Sequence, residues 1–351
     1  MITTPLSEYN PHRIDLRSDT VTRPTPAMLD AMYAARVGDD VFGEDPTVRE
    51  LEQTTAHLFG LEAGLLCPSG TMCNQIALKV HTLALDEVIC HAQSHIYNSE
   101  GGAWAWLSGI SLRLVGGNDG IISSDDVSRN INPQYDWQPR SAVVALENTC
   151  NKAGGNFYTY DQLVAVAETC RSHQLKLHID GARIFNALLA SGNKPEQIGD
   201  LTDSLSVCFS KGLGAPIGSV LLGSRRFIAQ ARRVRKALGG GMRQAGYIAA
   251  ACLYALQHHR EGLADDHRRA RQLGELLLQQ PYVKHCYPVR SNIVLFDLCE
   301  GITADQFNRA LAEYGILSIA FGPTQVRMVT HLDFTEPMLE KTLATLPLLA
   351  F

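Results

Sequence analysis

Between residues 25 and 225, short apolar runs recur at helix-length intervals, and this alternation constrains the fold more than any other feature of the chain. The runs are Gly64 to Cys67, Glu87 to Cys90, Leu112 to Val115, Ala142 to Leu146, Leu175 to Ile179, Leu205 to Phe209 and Gly218 to Leu222. Each is about a strand long, and the segments between them carry helical spacing. Thr25-Pro26 opens one helix with a capping hydroxyl and a first-turn proline. After Pro46, the positions Val48, Leu51, Thr55, Leu58 and Phe59 follow the spacing of another. Strands joined by helix-length crossovers imply βαβ units, so the fold class is α/β, a mostly parallel sheet flanked by helices.

After Gly239-Gly240-Gly241 the pattern changes. A long helical stretch from Ala245 to about Gln280 precedes a strand at Asn292 to Phe296, a helix near Ala304 to Tyr314, a strand at Gln325 to Val329 and a last helix, the content of a small α+β domain. A chain of 351 residues exceeds the roughly 250–300 at which a single core stops growing. We therefore expect a large domain over residues 1–255 and a smaller C-terminal α+β domain over 256–351.

Two of the apolar runs deliver charged groups to glycine-punctuated turns: Leu177-His178-Ile179-Asp180-Gly181 and Val207-Cys208-Phe209-Ser210-Lys211-Gly212. In an open α/β sheet such groups lie at the carboxyl edge, where ligands bind. An acid and an amine there suit pyridoxal phosphate, which needs a lysine to hold its aldehyde as a Schiff base and a carboxylate to keep its ring nitrogen protonated. Its phosphate needs an anion site, and Pro68-Ser69-Gly70-Thr71 follows a strand and precedes the helical run Gln75 to Leu85. Gly70 allows close backbone approach, Thr71 adds a hydroxyl, and a helix start offers amide donors. His95 or the nearby His91 could stack on the ring and handle a proton. Arg327, within an apolar strand, could grip a substrate carboxylate, and Arg243 could reach a phosphate. The residues alone leave other readings open. Asp180 could cap a helix, Lys211 could be solvated, Ser69-Gly70-Thr71 could be an ordinary capping turn, and Arg327 could face outward from an edge strand.

A net charge of −5, with no basic block, gives no reason to expect nucleic acid or an anionic membrane as a partner. The longest nearly uncharged stretch, Gly246 to Leu256, is far short of the roughly 20 residues a membrane span needs. Nine cysteines are scattered without metal-site spacing, and several lie in apolar runs, so a reducing compartment and no metal are expected. Met1 to Glu8 lacks the regions of a secretory leader, and the expected location is the cytoplasm.

Taken together, the motifs resemble those of the low-specificity L-threonine aldolases, pyridoxal-phosphate enzymes of fold type I. The matching segments are DLRSDTVTRP (15–24), VGDDVFGEDPTV (37–48), PSGTM (68–72), LENT (146–149), HIDGARIFNA (178–187), SKGLGAPIGS (210–219), GGGMRQAG (239–246) and RMVTHLD (327–333), in order along nearly the whole chain. The resemblance implies that Lys211 forms the Schiff base, Asp180 partners the pyridine nitrogen, Arg183 neighbours the ring and His95, rather than His91, stacks on it. It implies that Gly70 and Thr71 hold the phosphate, joined by Arg243 from a neighbouring subunit, and that Ser18 and Arg327 hold the substrate carboxylate. It further implies a homotetramer, a dimer of dimers with shared active sites.

The implied reaction is retro-aldol cleavage of threonine or allo-threonine to glycine and acetaldehyde, with His95, directly or through water, taking the β-hydroxyl proton. Related chemistries compete with it: β-elimination, racemisation and transamination, or cofactor binding without turnover. This chain departs from the common pattern at Trp137 and Cys150, which stand where many relatives carry histidine. That difference bears on the preference between threonine and allo-threonine.

Overall fold

The computed structural model describes residues 13–117 and 119–351, so the stretch Met1 to Glu8 lies outside the described residues. Its strands, in chain order, are β1 (Ile14–Asp15), β2 (Ala63–Cys67), β3 (Glu87–His91), β4 (Ser111–Val115), β5 (Ser141–Glu147), β6 (Lys176–Gly181), β7 (Ser204–Cys208), β8 (Ser219–Gly223), β9 (Val283–Cys286), β10 (Ile293–Leu298), β11 (Ile316–Leu317), β12 (Ile319–Ala320) and β13 (Gln325–Val329). A 7-stranded sheet has the order β2-β8-β7-β6-β5-β3-β4. Strands β4, β3, β5, β6 and β7 are parallel, while β8 runs antiparallel to β7 and β2. β3, β7 and β8 are buried along their whole length, as strands covered on both faces must be. A 4-stranded antiparallel sheet, β12-β13-β10-β9, forms near the C-terminus, and β1 pairs with β11.

Local chemistry sets the helix starts. Thr25 accepts from the Met28 amide ahead of Pro26–Tyr33, and Asp45 accepts from the Val48 amide ahead of Pro46–Leu58. Of the stripe the spacing predicts, Val48, Leu51, Thr55 and Phe59 are buried and Leu58 is half-buried. One apolar core runs through the large sheet and its helices as far as Leu263, and a second gathers Ala270, Leu273, Phe296, Phe307 and Met328 with Ile14 and Leu16.

Two expectations are corrected. The helical stretch read from Ala245 to Gln280 is two helices, Gly246–His258 and Leu263–Leu277. The chain turns between them, where His259 Nδ1 donates to the Leu213 carbonyl at 2.7 Å. The turn lets the second helix pass from one core to the other. The helix read from Gln75 begins earlier, at Gly70, because Ser69 caps it by accepting from the Met72 amide. None of the helices among the described residues is long and apolar enough to cross a membrane.

Candidate active site

Parallel β5, β6 and β7 end along one edge, and the register sets Glu147 beside Asp180. Asp180 is only 2% exposed. It accepts from Asn74 Nδ2 at 2.8 Å and from the Ala182 amide at 3.1 Å, and Ser206 Oγ lies at 3.4 Å. Every one of these donors is neutral, and no cation lies within ion-pair distance of Asp180 among the described residues. A buried carboxylate without a counter-charge is costly, so this environment fits a protonated pyridine nitrogen.

Asn74 links Asp180, through Glu100, to His95. Its amide also donates to Glu100 at 2.8 Å, and its side-chain carbonyl receives His178 Nε2 at 3.1 Å and Ser206 Oγ at 3.0 Å. Burial pushes the His178 imidazole down to about 4, so it stays neutral. Gln75 donates to the other Glu100 oxygen, and His95 Nδ1 lies 2.9 Å from Glu100 Oε1. That bond to Glu100 is the main reason the His95 imidazole is raised above its ordinary value, against the opposing effect of burial. One ligand atom each from His95, Glu100 and Asp180 lie within 4.8 Å of one another. Amide N–H donors already occupy both carboxylates, which suits an organic ring better than a metal ion.

Lys211 follows β7, with Nζ 3.9 Å from Cys208 Sγ and its carbonyl accepting from Thr22 Oγ1 at 3.0 Å. Gly70 lies against the same thiol: a Cβ there would stand 2.5 Å from Cys208 Sγ. Glycine lets the start of the Gly70–His81 helix, with Thr71 as its next residue, pack against the thiol that also neighbours the lysine. Amide donors at a helix N-terminus beside an amine fit a phosphate and aldehyde carried on one small molecule.

Arg183 is buried and forked onto Asp19, with Nε to Oδ2 at 2.8 Å and Nη2 to Oδ1 at 2.6 Å. Burial alone would raise the Asp19 carboxyl, but the guanidinium overrides it and holds the group well below the usual carboxylate range. Arg327 is 6% exposed on β13, which lies between β12 and β10 and so is an interior strand. Ser18, one residue from the Arg17 carbonyl that Arg327 contacts, accepts from the Thr20 amide and hydroxyl. Arg243 is exposed and paired with Asp39 at 2.8 Å.

His91 ends β3 with Nδ1 accepting from the Gln93 amide, and it lines a small cavity with Ser94, Gly120, Glu147 and Cys150. It is thus His95 that faces Glu100 and Asp180. Cys150 is buried, its thiol against the Gly120 and Glu147 carbonyls. Trp137 is in a different place altogether. It precedes β5 in the loop tied by Asn132 to Glu87 at the start of β3, is 75% exposed and stacks on Tyr135. That is the amino edge of the parallel sheet, opposite the site, so Trp137 does not line the crevice.

Periodicity, turn chemistry and the family resemblance assign no role to Asn74, Glu100, Asp19, Glu147 or Asn151. Asp19 lies in DLRSDTVTRP and Glu147 in LENT, whereas Asn74 and Glu100 are polar positions whose burial only the fold reveals.

Comparisons with known proteins bear on the family and the fold. The beta-eliminating lyase family model matches residues 15–299. Low-specificity L-threonine aldolase 1 of Arabidopsis thaliana is 41% identical over 338 residues, covering 94% of each chain. The low specificity L-threonine aldolase of Escherichia coli K12 is 41% identical over 336 residues, covering 94% of this chain and 97% of the relative. Among solved structures, a Leishmania major threonine aldolase superposes with a TM-score of 0.82 at 20% identity, covering 95% of this chain and 98% of that one. A putative L-allo-threonine aldolase of Listeria monocytogenes gives 0.78 at 21% identity, covering 95% of both chains.

Proposed function

The chain belongs to the low-specificity L-threonine aldolases, within the beta-eliminating lyase family, and on that premise we propose that Lys211, Asp180 and His95 carry its chemistry. It is a carbon–carbon lyase, cleaving L-threonine and L-allo-threonine to glycine and acetaldehyde. The observation that carries the site assignment is the set of uncompensated buried charges: Asp180 with neutral donors only, and Arg327 with neutral acceptors only.

Pyridoxal phosphate, when bound, would supply the electron sink for breaking the Cα–Cβ bond. Lys211 would hold its aldehyde, Asp180 its ring nitrogen, and Gly70 and Thr71 its phosphate, with Arg183 beside the ring. Arg327 and Ser18 bind and orient the substrate carboxylate, so that the scissile bond is presented in one orientation. Glu100 keeps the proton of His95 on Nδ1 and leaves Nε2 to accept the β-hydroxyl proton, directly or through water, as the aldehyde departs.

The working form is a homotetramer, a dimer of dimers in which Arg243 reaches the phosphate of the neighbouring subunit. Exposed Leu29 and Tyr33, on a helix packed against the one that carries exposed Tyr247, and exposed Val41 and Phe42, next to Asp40 whose amide donates to the Arg243 carbonyl, support this reading. Nine free cysteines, all but Cys299 buried, support a reducing cytoplasm.

The test is incubation of the purified protein and pyridoxal phosphate with each threonine isomer, assaying acetaldehyde, glycine, ammonia and oxo acid. Acetaldehyde with equimolar glycine is expected, and Lys211→Ala should abolish both turnover and the absorbance of the bound cofactor. Ammonia with an oxo acid would replace aldol cleavage by β-elimination.

A further inference from the structure

Arg327 is a buried guanidinium held entirely by neutral groups. Nη1 donates to Asn151 Oδ1 at 2.7 Å and Nη2 to the Arg17 carbonyl at 2.9 Å, and the Phe321 ring lies 4.5 Å from its central carbon. Nε has no partner, and no carboxylate lies within ion-pair distance of Arg327 among the described residues. Burial and the nearby Arg183 pull its pKa down to about 10, still far above neutrality, so the cation persists and needs an anion.

The asparagine is itself fixed. Its main-chain amide donates to Glu147 Oε1 at 2.9 Å, and the other oxygen of Glu147 takes the His95 main-chain amide at 2.8 Å. The Cys150 amide donates to the Asn156 carbonyl at 2.7 Å and closes the turn that carries Asn151. One buried carboxylate at the end of β5 therefore ties the segment bearing the proton-handling histidine to the turn that orients Arg327.

We propose that Asn151, anchored by Glu147, is the positioning residue that aims Arg327 at the substrate carboxylate while leaving its charge uncompensated. An amide oxygen can orient a guanidinium without neutralising it, whereas a carboxylate in the same place would form an internal ion pair. Incoming carboxylate would then compete with a partner already attached to the protein. The proposal rests on the reading that Arg327 receives the substrate carboxylate.

Asn151→Asp tests it with a change of almost no volume, in the cofactor-loaded full-length protein. The expected result is a rise of about tenfold or more in KM for L-threonine and in Kd for glycine, with kcat changed less than threefold. Affinity for pyridoxal phosphate and for ethylamine, an amine without a carboxylate, should stay within about twofold. Glu147→Gln, which can accept only one of the two amide hydrogens, should move the same two constants in the same direction by a smaller factor. A KM and a glycine Kd unchanged in both variants, or equal weakening of glycine and ethylamine, would overturn the proposal. Glycine binding keeps the two readings separable. If the native protein bound glycine through Asn151 and Arg327 yet released no acetaldehyde, the aldolase reading would fall and the positioning role would stand.

Discussion

Arg183 and Asp19, 164 residues apart in the chain, meet in a two-pronged ion pair sealed from water, with side-chain exposures of 5% and 0%. Asn292, immediately before β10, also donates to Asp19 at 3.3 Å, so the N-terminal segment is clamped between the two sheets at the crevice. Removing the charge of Asp19 would strand a buried guanidinium. We expect Asp19→Asn to cost about 3–5 kcal/mol of stability and to weaken cofactor binding. Chemical denaturation with and without pyridoxal phosphate measures both, and a loss below about 1 kcal/mol would contradict a buried pair of this kind.

The Glu100 bond that raises the His95 imidazole has a pH consequence. If His95 must be neutral to accept a proton, the acid limb of kcat/KM lies above the ordinary imidazole range. Glu100→Gln removes the charge that favours the imidazolium, so that limb should move to lower pH. The linked stability has the opposite sense: a raised histidine stabilises the fold at acid pH and loses that contribution as pH climbs through its folded value. The stability deficit of Glu100→Gln should thus be greatest below about pH 6.5 and shrink above it. A pH–rate profile whose acid limb stays in place would remove Glu100 from the assignment.

The contact between Gly70 and Cys208 can be tested by overpacking and relief. With a Cβ only 2.5 Å from Cys208 Sγ, Gly70→Ala should cost about 1–3 kcal/mol and loosen cofactor binding. Adding Cys208→Ala should recover a good part of both, since the obstructing atom is gone. Failure of the double variant to recover either would mean that the main-chain conformation of Gly70, rather than its contact with the thiol, is what matters.

Arg327→Lys keeps the charge but loses the planar fork that Asn151 and the Arg17 carbonyl orient. We expect KM for L-threonine to rise by roughly 10–100-fold, with a smaller fall in kcat. Steady-state kinetics separates the two, and an unchanged KM would place the substrate carboxylate elsewhere.

Sequence alone determined the strands of the large sheet, the helix starts at Pro26 and Pro46, and the acid, amine and turn at the sheet's carboxyl edge. Apolar periodicity, capping and turn chemistry are local properties, written within a few residues of where they act. Motif order along the chain added Arg183, Ser18 and the choice of His95. Only the tertiary structure decided that Asn74 joins Asp180 to Glu100, that Arg327 lies on an interior strand without a counter-charge, and that Trp137 stands at the far edge while Cys150 is packed near the site. Those outcomes depend on which parallel strands are neighbours and on whether a polar group is taken out of water. A buried charge reveals its purpose through the partner it lacks, and that absence can be recognised only when residues as distant as 17, 151 and 327 have been brought together.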